Sequence, residues 1–216
     1  GAVVAVLCCE YHFPPWLAVL AGLAVGALLG MVQGGITAYF HVPAFIVTLG
    51  GMMIYRGASM WVLQGVDRQL MAGWVNRIGD GYLPDAFAFA VAGIVMLGCL
   101  YFPLRGRASR IKYGLDAPPL GFTVAQSMVY VVLVAFFIYY MYGYKGVPIS
   151  VFLLMVLVLI MTFVANRTKY GRHVYGLGGN AEAAHLSGVN VKMRITQVFI
   201  VMGVLTAVAG IMLTAY

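Results

Sequence analysis

Long apolar runs separated by short polar segments set the pattern of this chain. Charge-free runs occupy 15–40, 86–103, 120–143, 150–166 and 196–216, each close to the roughly 20 residues a helix needs to cross a hydrocarbon core. A sixth run, 42–64, is interrupted by Arg56, and 1–9 has the character of the end of a seventh. The pattern predicts an all-α integral membrane protein: a polytopic transmembrane helix bundle of about six to seven spans, with 1–216 as one transmembrane domain. Both chain ends fall within apolar sequence and no initiator Met or polar tail is present, so the natural protein is expected to continue in both directions.

Charge adds an orientation. The chain is 63% hydrophobic and 9% charged, against about 25% charged residues in an ordinary soluble domain. Nine of its 13 Lys and Arg residues fall in two segments, Arg105, Arg107, Arg110 and Lys112 in one, and Arg167, Lys169, Arg172, Lys192 and Arg194 in the other. The positive-inside bias makes both cytoplasmic. Two spans separate them, so the assignment is self-consistent, and 65–85, with Asp67, Asp80 and Asp85 against Arg68 and Arg77, then lies outside. The net charge of +7 reflects topology; no basic face with aromatic interleaving supports nucleic-acid binding.

Within the spans three features stand out. Gly22, Gly26, Gly30 and Gly34 recur every four residues, which places them close to one helix face and lets another helix approach closely. In HVPAFIVTLGG, Pro43 and the Gly50-Gly51 pair loosen helical structure and Thr48 offers a hydroxyl, which makes 45–51 a candidate pathway-lining element with Phe45, Thr48 and Gly50 as its residues. Arg56 is the charge inside a run, and an ionisable residue at membrane depth is a functional candidate. It stands 12 residues beyond Ala44, roughly 18 Å along a helical rise. The tyrosines at 139, 140, 142 and 144 are expected to form an interfacial belt.

The polar stretch 167–195 carries most of the chemistry of the second half. Asn180 is a good N-cap, Glu182 falls in the first turn, and Gly188 is placed as a residue just past a helix end, so 181–187 is expected to be a two-turn helix, with Gly178 and Gly179 giving a sharp approach to it. Gly176–Ala181 also fits G-x-G-x-x-A, but the strand and the later acidic residue that a dinucleotide site needs are missing. No metal or catalytic cluster assembles: the four His are dispersed, and Cys8, Cys9 and Cys99 sit in apolar runs. The chain is therefore not expected to be an enzyme, and no G-x-x-x-x-G-K-[ST] phosphate loop occurs.

At these residues the sequence resembles the membrane permeases of bacterial ABC importers for monosaccharides of the ribose, xylose and galactose type. TKYGRHVYGLGGNAEAAHLSGVNV (168–191) is similar to that family's cytoplasmic coupling segment, and VPAFIVTLGGMMIYRG (42–57) to its other signature; the likeness runs from 22 to 216. The basic insert RGRASRIKYG is most similar to the xylose-type branch. The resemblance implies a permease subunit in the bacterial inner membrane that imports a monosaccharide, a pentose such as D-xylose. It implies pairing with a second copy as a homodimer, drive from two cytoplasmic ATP-binding subunits that hold ATP and Mg, and sugar delivered by a periplasmic binding protein. It makes 180–188 a coupling helix, with Asn180, Glu182, Ala183, Ala184, Ser187 and Gly188 matching the motif and Gly178 and Gly179 preceding it. His185 stands where the family more often has Arg, so no ionic role is carried onto it.

Overall fold

The computed structural model describes residues 1–64, 79, 81–143 and 145–215. Most of the acidic segment expected outside, including Asp67, Asp80, Arg68 and Arg77, and Tyr144 of the aromatic belt lie outside the described residues. The described helices, in chain order, are α1 (Ala2–Cys9), α2 (Pro15–Tyr39), α3 (Ala44–Leu63), α4 (Asp85–Lys112), α5 (Leu120–Tyr142), α6 (Ile149–Arg167), α7 (Lys169–Gly179), α8 (Ala181–Leu186) and α9 (Val191–Ala215). Among the described residues the only extended pairing is an isolated bridge between Tyr82 and Pro148. Among the described residues six helices are long and apolar enough to cross a membrane: α2, α3, α4, α5, α6 and α9. The chain is an all-α, multi-pass membrane protein.

Proline sets the start of several spans. Pro14, Pro43, Pro84 and Pro119 occupy the N-cap positions of α2, α3, α4 and α5 in extended backbone, where the fixed φ and missing N–H cost nothing. Pro43 is thus a helix start, and the loosened backbone expected over 45–51 is corrected: α3 is regular from Ala44 to Leu63. The Thr48 hydroxyl donates back to Ala44 O at 2.9 Å and Phe45 O at 3.1 Å, as a threonine inside an intact helix does.

The chain divides into two compact units, Gly1–Asp80 with Phe152–Tyr216, and Gly81–Val151. In the first, α2 and α9 form the most extensive helix pair, and the reason is the glycine stripe. A Cβ on Gly26 would stand 2.6 Å from both Ala207 Cβ and Gly203 O, and one on Gly34 would stand 2.9 Å from Thr196 Cα. A Cβ on Gly30 would overlap Phe199 O, and one on Gly203 would overlap Gly26 O. The two backbones are in mutual contact, which glycine alone permits. Gly22 meets Val4 of α1, and Val4, Ala18, Ile211 and Ala215 form the buried cluster there.

In the second unit α4 packs on α5, and the far ends of the pair are laced by Leu83 N donating to Val147 O and Ile149 N to Gly81 O, each at 2.9 Å. Phe89 and Tyr142 add a ring contact at 5.3 Å between centroids. The basic segment following the 86–103 run is helical rather than a loop: α4 continues through Pro103 to Lys112, since one internal proline removes one hydrogen bond and the following residues are good helix formers.

Gly30→Ala is expected to lower the thermal unfolding midpoint of the purified protein by the equivalent of about 1–3 kcal/mol, the usual cost of overpacking. Gly35→Ala, where a Cβ meets open space, should leave the midpoint unchanged or slightly raised. Equal effects at the two positions would contradict the backbone contact.

Candidate functional site

Two features of the first unit concentrate polar chemistry: the segment 167–195 between α6 and α9, and a cavity among α2, α3 and α9. The segment is built by three caps. Thr168 Oγ1 accepts from Gly171 N at 3.2 Å while donating to Val164 O at 2.6 Å, so it closes α6 and opens α7 together. The turn requires glycine at 171, where a Cβ would fall on the Ala165 backbone. Asn180 Oδ1 accepts from Glu182 N and Ala183 N, both at 3.0 Å, and Asn190 Oδ1 accepts from Met193 N at 3.0 Å to start α9. Each satisfies amides that the first turn of a helix otherwise leaves unpaired.

The end of α8 is equally defined. Ser187 is its C-cap residue, and Gly188, at φ +83, reverses the chain with its N–H on His185 O at 2.9 Å while Val189 N reaches Ala184 O at 3.1 Å. That left-handed geometry is the ordinary stop for a helix at glycine. Gly178 and Gly179, expected as a sharp approach to this helix, belong to the last turn of α7. The break between the two helices is Asn180 itself, whose backbone is extended at φ −158.

The segment has an inner and an outer face. On α7, Tyr170, His173, Val174 and Leu177 are half-buried and Lys169, Arg172 and Tyr175 exposed, the i, i+3, i+4, i+7 pattern of an amphipathic helix. Arg194 of α9 lies over the Tyr170 ring at 6.0 Å, and burial raises the Tyr170 phenol above its ordinary pKa while Arg194 opposes the shift. Lys192 lies over Tyr39, the last residue of α2, at 5.6 Å. On α8, Ala184 is half-buried and Glu182, Ala183, Ser187 and Gly188 are exposed. Leu186 is 83% exposed, a large apolar side chain standing free on a polar segment. Beneath α8 runs a cleft of about 640 Å³, lined by Thr37 of α2, His41 just past its end, Glu182 and His185 from α8, and Lys192 and Ile195 from α9.

The cavity among the spans has a volume of about 790 Å³. Along α3 it is lined by Thr48, Met52, Tyr55, Ser59 and Val62, positions spaced i, i+4, i+7, i+11, i+14 on one face. Gln33 of α2 and Thr206 of α9 supply the other polar groups. Gln33 also fills the space a Cβ on Gly51 would need, so the glycine in tight contact is Gly51, while Gly50 faces open space. Of the pathway candidates named from sequence, Thr48 lines the cavity; Phe45, Gly50 and Arg56 are not among its walls. Phe45 and Arg56 lie exposed on α3.

Sequence reasoning missed the helix α7 and the Tyr55–Ser59 wall. The first was signalled by Thr168 followed by apolar positions at 170, 174 and 177. Among the described residues no group of His, Cys, Asp and Glu could hold a metal ion.

Asn180→Ala should raise amide exchange rates at Glu182 and Ala183 about two- to thirtyfold, the equivalent of the roughly 0.5–2 kcal/mol an N-cap supplies, with little change in global unfolding. Unchanged rates would contradict the cap.

The family model described as the permease component of the branched-chain amino acid transport system matches residues 1–216. The chain is 34% identical over 215 residues to the Xylose transport system permease protein XylH of Haemophilus influenzae, covering 100% of this chain and 57% of that protein. It is 35% identical over 215 residues to its namesake in Escherichia coli K12, covering 100% and 55%. To the D-allose transport system permease protein AlsC of Escherichia coli K12 it is 29% identical, over 100% and 47%. The chain thus spans about half the length of the curated relatives it matches. No solved structure matches it significantly.

Proposed function

The chain belongs to this permease family, and from that premise we propose that it is the membrane-spanning subunit of an ATP-driven importer of a monosaccharide, with a pentose such as D-xylose as cargo. It is a multi-pass protein of the bacterial inner membrane. Xylose as cargo is supported by the relatives at 34% and 35% identity, whose names carry that sugar. In this reading nucleotide chemistry is carried out by separate ATP-binding subunits that hold ATP and Mg on the cytoplasmic side. A periplasmic binding protein delivers the sugar, and a second copy of the permease completes the pathway.

The single observation that carries the reading is the outward face of α8. A six-residue helix cannot hold its shape alone, yet this one is fixed by caps at both ends and by contacts with α7 and α9. It turns Glu182, Ala183, Leu186 and Ser187 outward. Such an arrangement suits a rigid contact with another protein, with Leu186 as the apolar anchor. Asn180, Gly178, Gly179, Ala184 and Gly188 shape the helix rather than touch the partner.

Movement of α8 would reach the spans through α9, into which the segment feeds directly, and through the packing of α9 on the α2 glycines. The cavity lies along that same pair and α3. Its Gln33, Tyr55, Thr48, Ser59 and Thr206 groups suit a hydroxyl-rich solute: a ring to stack on and short polar groups to exchange hydrogen bonds. Phe45, Gly50 and Arg56 are assigned to the outer surface of α3, where a second copy or lipid would cover them.

Glu182→Lys should leave membrane insertion intact and weaken co-purification of the ATP-binding subunit, because it sets a cation at a helix N-terminus, unfavourable by about 0.3–1 kcal/mol before any partner contact is lost. Ser59→Trp should leave that assembly intact and abolish pentose uptake by filling the cavity. Normal uptake in Ser59→Trp would remove the cavity from the pathway, and normal assembly and uptake in Glu182→Lys would remove Glu182 from coupling.

A further inference from the structure

The end of α4 carries a second charged surface that the transport reading leaves unused. At 1.5 Å per residue the 28 residues of α4 extend about 42 Å, whereas the hydrocarbon core is about 30 Å thick. Asp85 to Leu104 accounts for the core. The last eight residues, Arg105–Lys112, then project about 12 Å further, the depth of the phospholipid headgroups.

Four cations lie in this extension, and no acidic residue occurs between Asp85 and Asp116. They divide by structure. Arg107 is half-buried, and its Nε donates to Pro118 O at 3.0 Å, tying the extension to the start of α5. Arg105, Arg110 and Lys112 are exposed. Arg105 Nη1 donates to the Tyr101 hydroxyl at 3.0 Å with the guanidinium 5.6 Å from the ring centroid, so one turn presents an interfacial tyrosine and a positioned cation together. Tyr101, Arg105 and Lys112, at i, i+4 and i+11, share one stripe of the helix, and Arg110, five residues beyond Arg105, stands about 140° round the helix, so the cations encircle it rather than line one face. Exposed Phe102, Leu104 and Ile111 supply apolar contacts between the cations.

We propose that Arg105, Arg110 and Lys112 form a binding collar for the headgroup phosphates of anionic phospholipid. Both terms of the match are on the helix: cations at headgroup depth, and apolar side chains interleaved with them that meet the upper acyl chains. A guanidinium held in place by Tyr101 is preorganised for a phosphate, which it can engage through paired N–H donors. Lipid binding of this kind requires neither sugar nor an ATP-binding subunit.

The test uses the full-length permease in detergent, titrated with phosphatidylglycerol or phosphatidylcholine and read by native mass spectrometry. The wild-type protein should prefer phosphatidylglycerol. R105Q/R110Q/K112Q should lose that preference, with phosphatidylglycerol affinity falling at least about tenfold, since each cation near an anionic surface is worth about fivefold, and phosphatidylcholine binding unchanged. Lys145→Gln, a cation past the opposite end of α5, should retain wild-type preference. R105K/R110K/K112R, which keeps every charge, should behave as wild type and shows whether folding or charge accounts for any loss. Wild-type preference in the triple glutamine variant would overturn the proposal, as would equal loss of both lipids. Unchanged lipid preference with loss of ATP-binding-subunit assembly would also overturn it, and assign the cations to an acidic protein surface.

Discussion

The backbone contact between α2 and α9 is the constraint on which the rest of the first unit depends. In a bilayer there is no hydrophobic drive bringing two apolar helices together, so association rests on close van der Waals packing. Here Gly26 and Gly203 meet main chain to main chain, Gly30 meets the Phe199 carbonyl, and Gly34 meets Thr196. A methyl group at any of these positions would push the helices apart. The contact fixes where α9 begins, and hence where α8 is held.

The polar segment answers to a different principle. Its helices are short, and their stability comes from satisfied termini rather than from buried area. Thr168, Asn180 and Asn190 each cap the helix that follows, leaving little slack between the last turn of α6 and the first of α9. The cation contacts of Arg194 with Tyr170 and Lys192 with Tyr39 add lateral ties to α7 and to the end of α2. A force on α8 would therefore be passed to α9 and α2 rather than absorbed by a loose loop, which is the mechanical requirement of the proposed coupling.

The spans were legible because hydropathy reports burial in lipid directly. Asn180 and Gly188 were legible because cap chemistry is local: an Asx side chain and a glycine at a left-handed position act on neighbours in sequence. What stayed hidden was relational. The α2 glycines announce a close partner without naming it, and only the structure supplies Gly203 and Ala207. Pro43 and Gly50-Gly51 have weak helical propensity, but proline at the N-cap is harmless and packing against Gln33 accommodates Gly51, so α3 stays regular. Pro103 was read as the end of a span for the same reason, although the helix runs on past it. The face of α3 that lines the cavity could not be chosen without knowing which side meets α2.

The most direct test of the account places a single cysteine at Ser187 in the full-length, otherwise cysteine-free permease, co-expressed with its ATP-binding subunit carrying cysteines along the candidate docking groove. The account predicts a crosslink whose yield changes with nucleotide, because α8 is seated in the partner and moves with it. With both proteins shown to be present in the membrane, absence of a crosslink at every groove position would contradict it and leave α8 as a capped turn on the membrane surface.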